Sequence, residues 1–284
     1  MRARTLRHKV APFIPGSVRP AARRVYDYLE YEIGARTGRR DPLIPPRSLH
    51  IVGSGDDSDF VTIGEEFFRL FVEVGGLEPH HRVLDVGCGT GRMARPLTRY
   101  LTDGSYEGMD IVAPSIRWCQ RTYSRRFPNF HFQFSDIFNQ HYNPLGKQQA
   151  PEYRFPFADS SFDFVLLTSV FTHLLPAALR NYLSEVARVL KPGGRCFITC
   201  YLLNPEALRM IDAGMSCETF RFEFDGCRIE TAENPEHIVA YDESTILCLY
   251  EKAGLTLRTP VYHGSWCGRK NGLTHQDVIV AQKQ

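Results

Sequence analysis

From residue 82 onward the chain alternates short apolar runs of strand length with segments whose apolar positions recur at helical spacing. The runs predict strands over 82–86, 106–110, 130–134, 161–168, 195–201, 255–262 and 277–281. The fourth, which contains FDFVLLT, is apolar on both faces, as a parallel strand buried from two sides must be. Helical spacing predicts helices over 91–100, 114–126, 177–190 and 243–253. The second of these opens on Pro114, the third is closed by Pro192-Gly193-Gly194, and the last is capped by Gly254. Upstream, VTIGEEFFRLFVEVGGL predicts a helix stopped at Gly75-Gly76. Strand and helix in strict alternation predict an α/β fold, a seven-stranded and mostly parallel sheet with helices on both faces.

Two segments interrupt the rhythm. Residues 138–157 read as a long loop. Residues 202–242 hold FRFEFDGCRIET, two alternating runs about Asp225-Gly226, which predicts a small β-hairpin. Excursions of this length beside a regular core form lids and substrate walls. Before the sheet, Val25, Leu29 and Ile33 recur at i, i+4, i+8, which predicts an amphipathic helix, and the prolines of DPLIPPRSLH then exclude a regular element. The organisation read from this is a basic N-terminal helical arm and Pro-rich connector over 1–60, and a main domain over 61–284 with a lid insertion at 202–242.

Charge adds one feature. The net charge is +2, but residues 1–40 carry ten Lys/Arg against three Asp/Glu, leaving 24 against 29 elsewhere. The basic residues of the arm are interleaved with aromatics and acids, which favours a docked helix over a polyanion-binding tail. No stretch approaches the ~20 apolar residues of a membrane span, and the N-terminus lacks the apolar run of a signal peptide, so the expected location is the cytoplasm. The eight cysteines form no C-x-x-C pair, which argues against a structural zinc site and for reduced, buried thiols.

The chemistry concentrates in VLDVGCGTGR, residues 83–92, a strand entering a Gly-rich turn ahead of a helix. Gly87, Gly89 and Gly91 allow close backbone approach to a ligand and would present amides at a helix N-terminus. Arg92 stands where a nicotinamide fingerprint needs a small residue. Asp85 would repel a pyrophosphate and favour a cationic ligand. Asp110 stands at the tip of the second strand, where its carboxylate can accept hydrogen bonds.

This segment resembles motif I of the class I S-adenosylmethionine-dependent methyltransferases, and the likeness continues through YEGMD, FQFSDIF, FPFADSSFDFVLLTSVFTHL and EVARVLKPGGRCFIT over about residues 60–284. The resemblance implies a Rossmann-like methyltransferase fold with S-adenosyl-L-methionine as cofactor. It implies a cofactor site built from Asp85, Gly87, Cys88, Gly89, Gly91, Arg92, Asp110, Ile111, Asp136, Ile137 and Ser169, with Asp110 accepting from the ribose hydroxyls, Asp136 receiving the adenine amino group and Ile137 packing on the ring. Without a ligand, Asp136 would instead serve as a helix N-cap and Asp110 as a solvated strand-end acid. His173, just past the fourth strand, is the candidate catalytic base, and the alternative for it is packing against the next helix. Loop residues His141, Tyr142, His263 and Trp266 are candidate pocket walls. Residues 1–40 and 202–242 are expected to shape the acceptor pocket.

The expected reaction is methyl transfer to a small-molecule or glycan acceptor, on oxygen, by in-line displacement. A protein or RNA methyltransferase, and a non-catalytic cofactor-binding protein on the same fold, are the alternatives. The strand tip Thr168-Ser169-Val170-Phe171 lacks the amide and proline of an amino-methylation signature, which disfavours nucleic acid. Nothing in the sequence sets an oligomeric state.

Overall fold

The computed structural model describes residues 29, 31–50, 57–258 and 260–284. These fall in two compact units, residues 1–63 and 64–284.

In the first unit, residues 31–36 are helical. Val25 of the expected amphipathic stripe lies outside the described residues. Leu29 and Ile33 are exposed, and Tyr31 is the buried side chain, its hydroxyl donating to Pro42 O at 2.9 Å. The prolines then give way to a single 3-10 turn, Arg47–Leu49. Arg40 bonds Asp57 at 2.7 Å.

The second unit begins within helix α1, Asp57–Glu73. Gly76 beyond it takes φ 70, the left-handed turn that ends the helix. The sheet strands are β1 (Arg82–Val86), β2 (Ser105–Asp110), β3 (Phe130–Phe134), β4 (Phe162–Leu167) and β5 (Leu190–Cys200), followed by β10 (Leu255–Leu257) and β11 (Asp277–Lys283). Their order is β10-β11-β5-β4-β1-β2-β3. All neighbours pair in parallel except β10–β11 and β11–β5. β1 to β4 thus end on one edge, and the order reverses between β1 and β4, which opens a crevice at their carboxyl ends. The main core packs on this sheet, with Leu84, Val165, Leu167, Leu179, Val186 and Ile198 all buried.

Four boundaries depart from the pattern, three of them for visible reasons. The helix expected over 91–100 is only α2, Ala94–Leu97. Pro96 has no N–H to donate and is tolerated only in a first turn, so the regular helix cannot begin at Gly91. Pro192-Gly193-Gly194 does not separate a helix from a strand; it lies within β5, where the register with β4 shifts. The strand expected over 255–262 stops at Leu257 and resumes as a single bridge, Tyr262 to Val278, because Pro260 interrupts the ladder. The helix expected over 114–126 is α3, Ala113–Cys119, continued by a π-turn, Gln120–Ser124.

The excursion after β5 forms a second, four-stranded sheet from β6 (Leu202–Leu203), β7 (Phe222–Phe224), β8 (Cys227–Ile229) and β9 (Val239–Asp242), in order β6-β9-β8-β7. The expected hairpin is present. β7 and β8 pair antiparallel, and Asp225 (φ 46) and Gly226 (φ 83) make its two-residue turn. Helix α4 (Pro176–Val189) follows β4, α5 (Pro205–Asp212) follows β6, and α6 (Glu243–Lys252) follows β9.

Asp277, at the start of β11, ties the second sheet to the first. Its fully buried carboxylate accepts from Leu202 N, Gly264 N and Trp266 Nε1, each at 2.7 Å. Trp266 is therefore a core residue, 0% exposed, and not a pocket wall. Asp277→Asn places an amide NH2 against backbone donors. The expected cost is about 2 kcal/mol, the penalty of one unmet buried donor, read as a shift in the urea unfolding midpoint.

Candidate functional site

The Gly-rich turn leaves β1 at Val86 and folds over the ends of β1 and β2. Gly87, Gly89 and Gly91 have φ of 80, 53 and 79, conformations an L side chain adopts only under strain. A Cβ at Gly87 would lie 2.4 Å from Val170 Cγ2, and one at Gly91 would lie 2.8 Å from the Tyr123 ring. At Gly89 it would meet nothing within 4 Å, so that glycine faces open space.

Four of the turn's amides already have partners within the protein. Gly87 N and Cys88 N both donate to Met109 O, Gly91 N donates to Cys88 O, and Gly89 N donates to Asp110 Oδ2 at 2.7 Å. The glycines themselves therefore give clearance rather than free N–H groups.

Three acids line this edge at the ends of successive strands. Asp85 has no exposed surface; its Oδ2 accepts from the Tyr106 hydroxyl at 2.5 Å, and its Oδ1 has no hydrogen-bond partner among the described residues. Burial pushes its carboxyl up to about 7, against the Tyr106 hydrogen bond and nearby Arg92. A ligand would feel this charge at short range without touching it. Asp110 is 8% exposed, and its two oxygens accept from Gly89 N and Val112 N, so it organises the turn first. Each oxygen keeps a second lone pair for a ligand hydroxyl. Burial raises the Asp110 pKa. Asp136 is partly exposed, with Asn143 Nδ2 at 3.5 Å and Lys147 Nζ at 4.0 Å. No helix follows it, so it is no N-cap; its backbone carbonyl accepts from Lys147 N and Gln148 N.

Ile137 is turned into the main core, 2% exposed, because its backbone is bridged to Gln148. It does not offer the apolar face expected of it, and Ile111, partly buried on the same core, stands nearer that role. Cys88 and Cys119 both direct their thiols at Gly89 O, and burial holds both pKa values well up. Arg92 lies partly buried beside Asp85.

These residues fit S-adenosylmethionine. Three carboxylates and one partnerless buried oxygen suit a ligand that is cationic and hydroxylated, and glycine clearance suits one that lies along the strand ends. Phosphate would meet acids where it needs donors.

The β4 tip completes the edge. Ser169 has φ 59, and Phe171–His173 form a 3-10 turn. His173 Nδ1 lies 3.1 Å from Glu236 O, so the neutral ring donates there and leaves Nε2 as its acceptor. Burial lowers its pKa, which keeps the ring neutral. Tyr142 stands edge-on to it with centroids 5.3 Å apart, and His141 packs on Tyr142 and faces His237.

The sequence did not point to Glu236, His237 or Glu230. Glu236 Oε2 accepts from Asn139 Nδ2 (3.0 Å) and Gln140 N (2.9 Å), latching the 138–157 loop to the excursion after β5. His237 Nδ1 lies 2.9 Å from Glu230 Oε2. The Glu236 partners are 97 and 96 positions away, and the His237–Glu230 pair belongs to no motif. His263, by contrast, pairs with Glu243 at 2.9 Å and lies within 3.2 Å of Asn204.

The fold and this edge define a class: a Rossmann-like domain with a Gly-rich turn and three acids at its strand ends. Residues 84–198 match the family model described as a methyltransferase domain. That match runs over 115 of the 284 residues, from within β1 to within β5, and the likeness to methyltransferases rests on it. Among curated proteins the chain is similar to phthiotriol/phenolphthiotriol dimycocerosates methyltransferase 1 of Mycobacterium ulcerans, 38% identical over 118 residues, which are 42% of this chain and 36% of the relative. It is also similar to the fatty-acid O-methyltransferase of Mycolicibacterium smegmatis, 34% identical over 113 residues, 40% of this chain and 34% of the relative. The chain thus spans about a third of the length of these relatives. In fold it resembles a SAM dependent methyltransferase from Aquifex aeolicus, with a TM-score of 0.50 at 18% identity over 81% of this chain and 94% of that one. Among the described residues no helix is long and apolar enough to cross a membrane.

Proposed function

We propose that this protein transfers a methyl group to a hydroxyl oxygen of a small, largely apolar acceptor. The observation that carries the reading is the neutral, oriented imidazole of His173 beside the ring of Tyr142, at the strand tip that adjoins the acidic, glycine-lined cleft. Bound in that cleft, S-adenosylmethionine supplies an activated methyl group. Asp110 and Asp136 would take its ribose and adenine, and Asp85 with Arg92 would face its charged amino-acid end.

The chain's own contribution is placement. Holding acceptor oxygen and methyl carbon near ~3–3.5 Å contributes roughly 7–11 kcal/mol of rate enhancement. A hydroxyl must also lose its proton, and Nε2 of His173 is the group suited to receive it. The Glu236 latch closes two excursions over this turn and would keep water from it. The two relatives' names, one for a dimycocerosate substrate and one for a fatty acid, support an apolar acceptor with an oxygen nucleophile. A glycan is the second acceptor class.

The test is a panel assay with methyl-labelled S-adenosylmethionine against a long-chain hydroxylated lipid, a fatty acid, a sugar, RNA and a peptide. Label is expected in an ether or ester of a small molecule; label confined to RNA or peptide would refute the reading. His173→Ala is expected to lower kcat about 100-fold. Its S-adenosylhomocysteine affinity should stay within twofold.

A further inference from the structure

Ser169 is a non-glycine residue held in the left-handed region, with φ 59, at the end of β4. Such a conformation persists only when its surroundings over-determine it. Here three hydrogen bonds do so. Ser169 N donates to Thr199 Oγ1 at 2.7 Å, Ser169 Oγ donates to Gln276 Oε1 at 3.1 Å, and Thr199 Oγ1 donates to the same Gln276 oxygen at 2.6 Å. The three groups close a ring. Thr199 sits on β5 and Gln276 directly precedes β11, so the ring spans β4 and the next two strands of the sheet.

The turn at Ser169 sets where Val170 goes. Val170 lies against Gly87, so close that a Cβ on that glycine would be 2.4 Å from Val170 Cγ2. Its neighbour Phe171 starts the 3-10 turn that carries His173. One strained residue therefore fixes both the wall of the Gly-rich turn and the approach to His173.

We propose that Gln276 and Thr199 are positioning residues, which hold Ser169 left-handed so that Val170 seals the cofactor turn and His173 faces the acceptor. Neither residue touches the reacting atoms; each acts through Ser169. Gln276 Oε1 is the shared acceptor, and losing it frees two hydroxyls at once. The proposal rests on the cofactor reading for its binding readout and is independent of the acceptor's identity.

The test is a double-mutant cycle with S-adenosylhomocysteine as the probe. Gln276→Leu keeps the volume and removes the acceptor, and Thr199→Val removes the hydroxyl. Each is expected to weaken binding by about tenfold, the equivalent of one strained residue. Glycine adopts φ 59 without restraint, so adding Q276L to Ser169→Gly should cost less than threefold. A merely structural role for Gln276 would give the same loss in both backgrounds, and that result would overturn the proposal. Hydrogen exchange at residue 169 gives a second readout: protection in the parent, lost in Q276L and T199V. Equal protection in Q276L and the parent would overturn the proposal as well. If the parent itself bound no S-adenosylhomocysteine, the cofactor reading would fail, and exchange at residue 169 would still decide the role of Gln276.

Discussion

Gly87→Ala is expected to weaken S-adenosylhomocysteine binding by roughly 300-fold while leaving the sheet folded. Two costs combine. An alanine at φ 80 bears the left-handed penalty of about 1–2 kcal/mol. Its methyl would also lie 2.4 Å from Val170 Cγ2, too close for any carbon pair, so the β4 tip must move or the turn must open. Overpacking of this kind costs about 1–3 kcal/mol. The flexible partner is the turn itself, since Val170 is followed by the buried Phe171. The strain therefore falls on the conformation that receives the cofactor. Calorimetric titration measures the affinity, and circular dichroism reports the fold. An affinity within threefold of the parent would show that the turn does not line the cofactor.

Asp85→Asn should remove a pH dependence from folding. In the folded protein the carboxyl is pushed up to about 7 from an ordinary 3.8, chiefly by burial. A raised carboxyl pKa means that the folded state binds the proton more tightly than the unfolded chain. Its favourable contribution is complete below about pH 4 and is lost as pH rises through about 7. At 1.36 kcal/mol for each pH unit, this shift corresponds to about 4 kcal/mol. The asparagine variant, uncharged throughout, should gain stability relative to the parent by that amount between pH 4 and pH 8. Urea unfolding of both proteins across this range checks it. Parallel stability curves would mean that Asp85 ionises in the fold as it does in water. The cost sits beside the cofactor cleft, where a cationic ligand would favour the ionised form.

Much of this was legible in the residues. The strand spacing, the Gly-rich turn and Asp85 follow from local periodicity and from side-chain chemistry within one short segment each, while Asp110 and Asp136 came with the resemblance to the methyltransferase motifs. The hairpin at Asp225-Gly226 was legible because only a few residues accept its backbone angles. What stayed hidden was of two kinds. Prolines were one: Pro96 shortened a helix by its own missing N–H, a local signal overlooked beside the apolar spacing, and Pro192 was absorbed into a strand, which does not follow from its neighbours alone. Long-range partners were the other kind. Gln276 reaches Ser169 across 107 positions and Glu236 reaches Asn139 across 97, and such pairs leave no periodic trace. The resemblance set Ile137 against the cofactor's ring, whereas its side chain is buried in the main core and its backbone is bridged to Gln148.

The most direct test of the account is a crystal structure of the protein with S-adenosylhomocysteine. The account predicts the ligand along the carboxyl ends of β1, β2 and β3, with its ribose hydroxyls on Asp110, its adenine beside Asp136 and its sulfur directed at the Ser169–His173 turn. A ligand bound elsewhere, or one whose sulfur points away from that turn, would contradict it.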